Sequence, residues 1–179
     1  MAGGRFMGAG GNALMHLLDT SVVWELRGAR AGRCDAGVAA WTSARLRTEL
    51  FVSALAIAEL GVAAAQVART DKAGAAIIKR WVDSKVVAAF DGRVLPVDAA
   101  IAGRAAALGY PDMRDALIAA TALEHGLVLV TRRAPAFRLG KVRTFDPWGF
   151  QPDAAEIGTD WREATRPGPQ WLKSLFVRG

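Results

Sequence analysis

Short uninterrupted apolar runs alternate along this chain with longer stretches in which apolar residues recur every three or four positions. Leu17-Leu18 closes on Asp19-Thr20-Ser21, and a helical pattern follows through Val22, Val23 and Leu26. A buried strand running into a helix fits that change of period. Positions 34–47 read as a helix carrying Val38, Trp41 and Leu46. Leu50-Phe51-Val52-Ser53 reads as a second strand, with Ser53 placed to cap a helix over 55–68. A long helical pattern spans 72–90, and Arg93 to Val97 is a short strand candidate. Asp98 is set to cap a helix over 99–108 that Gly109 stops, and a helix over 112–125 stops at Gly126. Leu127-Val128-Leu129-Val130 is a clear buried strand, and Val142 to Phe145 a weaker one. Short apolar strands alternating with helices predict an α/β fold with a mainly parallel sheet covered on both faces.

The two ends lack this order. Residues 1–14 are Gly-rich and aperiodic and read as a flexible leader. Positions 8–13 fit the pattern GxGxxA, but no strand precedes them and an apolar strand follows, the reverse of a dinucleotide site. From Pro147 the chain holds Pro147, Pro152, Pro167 and Pro169 with Trp148, Trp161 and Trp171. Residues 150–179 therefore read as an accessory arm, ill-suited to a continued sheet or long helix. The folded domain is placed at 15–149.

With 179 residues and a 52% hydrophobic fraction, the chain is neither disordered throughout nor in need of staples. Cys34 is the single cysteine, which excludes an internal disulfide framework and a Cys-rich zinc site. No apolar run is long enough to span a membrane, and a cytoplasmic setting is expected. The formal charge of +6 favours a polyanionic partner. Basic residues gather at Arg132, Arg133, Arg138, Lys141 and Arg143, and at Arg27, Arg30 and Arg33.

Three acids stand in unusual company. Asp19 follows directly on an apolar run, Glu59 sits in VSALAIAELGVAAA, and Asp115 in MRDALIAATAL. A carboxylate in such a setting is costly unless its charge is compensated, and three from separate elements suggest a shared hard cation, Mg²⁺ or Mn²⁺. Each also has a plain structural role open to it: Asp19 as a helix cap, Glu59 as a solvent-facing residue, Asp115 at a helix N-terminus. His16 and His125 have no metal-ligand spacing.

LLDTSVV at 17–23, SALAIAELGVA at 53–63 and DALIAATALEHGLVLVTRR at 115–133 resemble the three signatures of the PIN domain, with the greatest likeness to VapC-type toxins of toxin–antitoxin pairs. The resemblance covers residues 15–149. It implies a PIN-like three-layer α/β/α sandwich and a Mg²⁺- or Mn²⁺-dependent endoribonuclease acting as the toxin of such a pair. It implies Asp19, Glu59 and Asp115 as catalytic acids and metal ligands, with Thr131 and Ser21 supporting the site. Its partners would be an RNA substrate, a small antitoxin protein and a second copy of the chain. Arg132, Arg133 and Arg27 would contact RNA. Trp41, Leu46 and Leu60, on the helices at 34–47 and 55–68, would line an antitoxin groove.

One segment departs from the family pattern TRNxxDF. Here Arg133 replaces the usual Asn, and Ala136 occupies the place of a fourth acid. One-metal chemistry, weakened activity or a replacement ligand would follow, with Asp112 as the candidate replacement. Asp146 is expected to be structural. The alternatives are a catalytically weak PIN-fold interaction module, which Ala136 favours, and a DNA-directed nuclease.

Overall fold

A computed structural model describes residues 14–29 and 32–151. All but the last residue of the leader, Arg30 and Ala31, and the arm from 152 onward lie outside the described residues. Five strands form one sheet: β1 (His16–Leu18), β2 (Leu50–Ser53), β3 (Val94–Leu95), β4 (Val128–Val130) and β5 (Thr144–Phe145), in the order β3-β2-β1-β4-β5. All four pairings are parallel, with Leu17 opposite both Phe51 and Leu129, and Leu18 opposite both Val52 and Val130.

That register sorts side chains by alternation. Leu17, Phe51 and Leu129 face one layer, where Ile118, Ala119 and Ala122 of α7 (Met113–His125) pack with Phe137. Leu18, Val52 and Val130 face the other, against α1 (Thr20–Leu26), α2 (Ala36–Ser43), α3 (Ala54–Val67) and α4 (Lys72–Trp81). On the α7 side, α6 (Ala99–Leu108) packs on α7 through Ile101, Ala105, Ala116 and Ala120. The three-layer α/β/α arrangement expected from the sequence is the architecture.

Side-chain caps fix where these helices start. Asp35, Ser53, Asp71, Asp98 and Asp112 each accept a backbone N–H at the start of α2, α3, α4, α6 and α7. Gly109 and Gly126 end α6 and α7 with positive φ, a conformation that costs glycine little.

β3, β4 and β5 are shorter than the runs expected for them, and two helical stretches differ from the sequence pattern. The helix expected over 34–47 runs only from Ala36 to Ser43. Leu46 turns extended (φ −72°, ψ 143°) to enter a 3₁₀ turn at Arg47–Glu49 that feeds β2. The long pattern at 72–90 is helical throughout but changes pitch. An α-helix to Trp81 passes through a π segment, Val82–Val86, into α5 (Val87–Ala89).

The second layer also absorbs two residues expected at an antitoxin groove. Leu60 is fully buried, as is Trp41, whose ring meets His16 edge-on at 5.1 Å and stacks on Phe145 at 5.3 Å. Leu46 alone of the three is exposed, at 67%. Burial pulls the His16 pKa down to about 4, with Arg45 and Arg143 adding to the effect. His16 opens β1, at the opposite end of that strand from Asp19, so it belongs to the core and not to the site.

Candidate metal centre at the carboxyl end of the sheet

β1 lies between β2 and β4, so the chain leaves it toward β3 on one side and returns to its other side at β4. Ligands in open parallel sheets gather at the carboxyl ends of the strands where the order reverses. Asp19 follows β1 and Thr131 follows β4 at that place, and the Asp19 N–H donates to the Val130 carbonyl at 2.9 Å.

Asp19 is buried, and its oxygens are held by three donors. Oδ1 accepts from the Thr20 N–H at 2.8 Å, which caps α1. Oδ2 accepts from the Thr131 hydroxyl at 2.6 Å and the Ser21 hydroxyl at 3.0 Å. Capping α1 therefore leaves the Asp19 carboxylate in contact with the Thr131 and Ser21 hydroxyls. Ser21 and Thr131 thus both hold the same Asp19 oxygen.

Glu59 lies in the second turn of α3. The Thr20 hydroxyl donates to its Oε2, so Thr20 sits between the first and second acids. Nothing in the sequence singles out Thr20 for this contact; its place directly after Asp19 was the available signal. Asp19, Thr20, Ser21 and Glu59 line one cleft of about 480 Å³ with Leu55, Val62, Gln66, Arg114 and Arg133.

Asp115, in the first turn of α7, is mostly buried at 14% side-chain exposure. Both of its oxygens are engaged by Arg133: Nη1 donates to Oδ2 at 3.2 Å and Nη2 to Oδ1. That pairing raises the Arg133 pKa further, its hydrogen bond to Asp115 being the main cause. Asp115 thus reaches the cleft through an arginine that lines it. Among the described residues no three His, Cys, Asp or Glu side chains stand together as a metal-binding group. Arg114, adjacent to Asp115, lies 3.9 Å from Glu59 Oε1 and pairs with Asp112 at 3.1 Å.

Asp112, the candidate replacement ligand, is engaged elsewhere. It caps α7, accepting from the Arg114 and Asp115 N–H groups, and its side-chain bond to Arg114 holds its pKa down at about 2. Asp146 accepts the Trp148 N–H at 3.0 Å, a turn role.

The donor set is all oxygen and suits a hard divalent cation. Asp19 and Glu59, joined by Thr20, present carboxylates into one cleft. Asp115 is not brought beside them: both of its oxygens are held by Arg133. Two carboxylates with no nitrogen or sulfur donor beside them could hold Mg²⁺ or Mn²⁺ rather than zinc.

The basic residues divide. Arg132 is exposed and stacks over Trp148 at 5.3 Å, and Arg27 over Trp24 at 5.1 Å. Arg143 instead donates to the Gly126 carbonyl at 2.9 Å, closing the C-terminus of α7 away from the cleft. Burial, with Glu25 and Asp35 nearby, pushes the Cys34 thiol up to about 11, so it is no ready nucleophile.

The PIN domain model matches residues 16–133. VapC ribonuclease Y4jK of Sinorhizobium fredii is 33% identical over 149 residues, covering 75% of this chain and 98% of that protein. Toxin FitB of Neisseria gonorrhoeae is 31% identical over 143 residues, covering 75% and 99%. The crystal structure of FitAcB from Neisseria gonorrhoeae superposes with a TM-score of 0.67 at 28% identity, over 75% of this chain and 99% of that one. FitAB bound to IR36 DNA fragment superposes at 0.66 and 26% identity, over 78% and 99%. Sheet order, the acid-lined cleft at its reversal point and matches that run nearly the whole length of these relatives agree: the chain belongs to the PIN-domain family.

Proposed function

We propose that this chain is the toxin of a toxin–antitoxin pair and acts as a divalent-cation-dependent endoribonuclease. The observation that carries the proposal is the support of Asp19 by Thr131 and Ser21 beside Glu59, in the cleft where the sheet order reverses. Relatives named as a VapC ribonuclease and as a toxin support it further. On this reading the partners are RNA, a small antitoxin protein and a second copy of the chain, and the setting is cytoplasmic. No helix among the described residues is long and apolar enough to cross a membrane.

Asp19 and Glu59 would hold Mg²⁺ or Mn²⁺, with Asp115 the third acid. When bound, the ion supplies a water of lowered pKa and offsets charge that builds on the phosphate oxygens. The protein's own part is orientation. Thr131 and Ser21 fix the Asp19 carboxylate, and Thr20 fixes that of Glu59. Arg132 and Arg27, steadied on tryptophan faces, would neutralise backbone phosphates along the strand.

A second reading has an observation of its own. Arg133 closes on Asp115, and Ala136 supplies no acid, which suits a catalytically weak interaction module. A ribo-oligonucleotide and its deoxyribo counterpart, each incubated with the full chain and Mn²⁺, separate the cases. Internal cleavage of the RNA but not the DNA is expected. Cleavage of DNA alone would point to a DNA-directed nuclease, and of neither to the interaction module.

A further inference from the structure

We propose that Arg133 is the built-in second cation of this site: it holds Asp115 and faces the substrate phosphate, so the site takes one divalent ion, at Asp19 and Glu59. This rests on the metal-dependent reading above and adds its charge arrangement.

Arg133 is fixed along its whole length. Its backbone N–H donates to the Thr131 hydroxyl at 3.1 Å, and that same hydroxyl donates to Asp19. Its guanidinium lies 5.8 Å from the ring centre of Phe137, which is fully buried. Its fork then grips both oxygens of Asp115. A planar guanidinium in a bidentate pair is pre-oriented, and three of its five N–H groups remain for phosphate oxygens. Arg114 makes its own fork, but with Asp112, at 3.3 and 3.1 Å, a residue that does not line the cleft.

Charge decides how many ions fit. Asp19, Glu59 and Asp115 bring three negative charges, and the turn Ala134–Phe137 after Arg133 brings none. One divalent ion and one guanidinium neutralise the three in full. Two divalent ions with Arg133 in place would leave the cleft two charges positive, before Arg114 is counted. Like charges so close, in a partly buried cleft, repel strongly.

The test is a Mn²⁺ titration of the full chain by calorimetry, with bound Mn²⁺ counted by electron paramagnetic resonance. The parent is expected to bind one Mn²⁺ per chain. Arg133→Asn, at a side chain 57% exposed, should leave the fold intact by circular dichroism. It vacates Asp115 and removes a positive charge. A second Mn²⁺ should then bind, the first should bind about tenfold tighter, and KM for a ribo-oligonucleotide should rise. Adding Ala136→Asp should tighten the second ion further. Two ions in the parent, or a stoichiometry and affinity unmoved by Arg133→Asn, would overturn the inference while leaving the nuclease reading standing. No Mn²⁺ bound by either protein would overturn both.

Discussion

Asp115→Asn is expected to lower Mn²⁺-dependent RNA cleavage by on the order of a thousandfold while the protein stays folded. The substitution removes one negative charge and almost no volume, so packing around α7 is nearly unchanged. Arg133 loses half of its bidentate partner, because the amide NH₂ cannot accept a hydrogen bond. The cleft also loses a third of the acidic charge set by Asp19, Glu59 and Asp115. A small stability cost comes with this, about 0.3–1 kcal/mol, since a carboxylate in the first turn of a helix interacts favourably with its dipole. Single-turnover cleavage and a thermal melt on the same preparation check both halves. Cleavage at the parental rate would remove Asp115 from the site whatever the fold.

Trp41→Ala is expected to destabilise the domain by about 3–5 kcal/mol, as deletion of a fully buried indole generally does. The lost ring stacks on Phe145, meets His16 edge-on and carries the Arg45 guanidinium at 5.5 Å. Phe145 is itself in contact with Phe150, so the cavity would loosen the junction of β5 with the segment after it. In a chain of this size the melting temperature should fall by about 10 °C or more. A fall under about 2 °C, with partner binding lost, would return Trp41 to the surface role first expected of it.

β1 and β2 were legible because each is a short apolar run closed by a polar residue with work to do. Asp19 and Ser53 end β1 and β2, and each caps the following helix. Their order across the sheet was not legible, since Leu17 pairs equally with residues 34 and 112 positions away. Periodicity also overran the helix at 34–47. Trp41 satisfied the apolar pattern, but Leu46 continued it only in sequence, and the need to enter β2 made that residue extended.

At the site, Asp19, Ser21, Glu59 and Thr131 were findable because their settings or the motif marked them. The contact of Thr20 with Glu59 was hidden, because the two lie 39 positions apart. Arg133 was counted among basic residues bound for RNA, because its partner lies on a helix 18 positions earlier. Arg143 stands in the same basic run, and only the packed end of α7 reveals that it closes on Gly126.

The most direct measurement of metal-dependent chemistry in the Asp19–Glu59 cleft is cleavage of one end-labelled ribo-oligonucleotide by protein first stripped with chelator. Negligible cleavage is predicted in chelator, with activity restored by Mn²⁺ in the parent and not in Asp19→Asn. Cleavage that persists in chelator, or that Asp19→Asn recovers as fully as the parent, would contradict it.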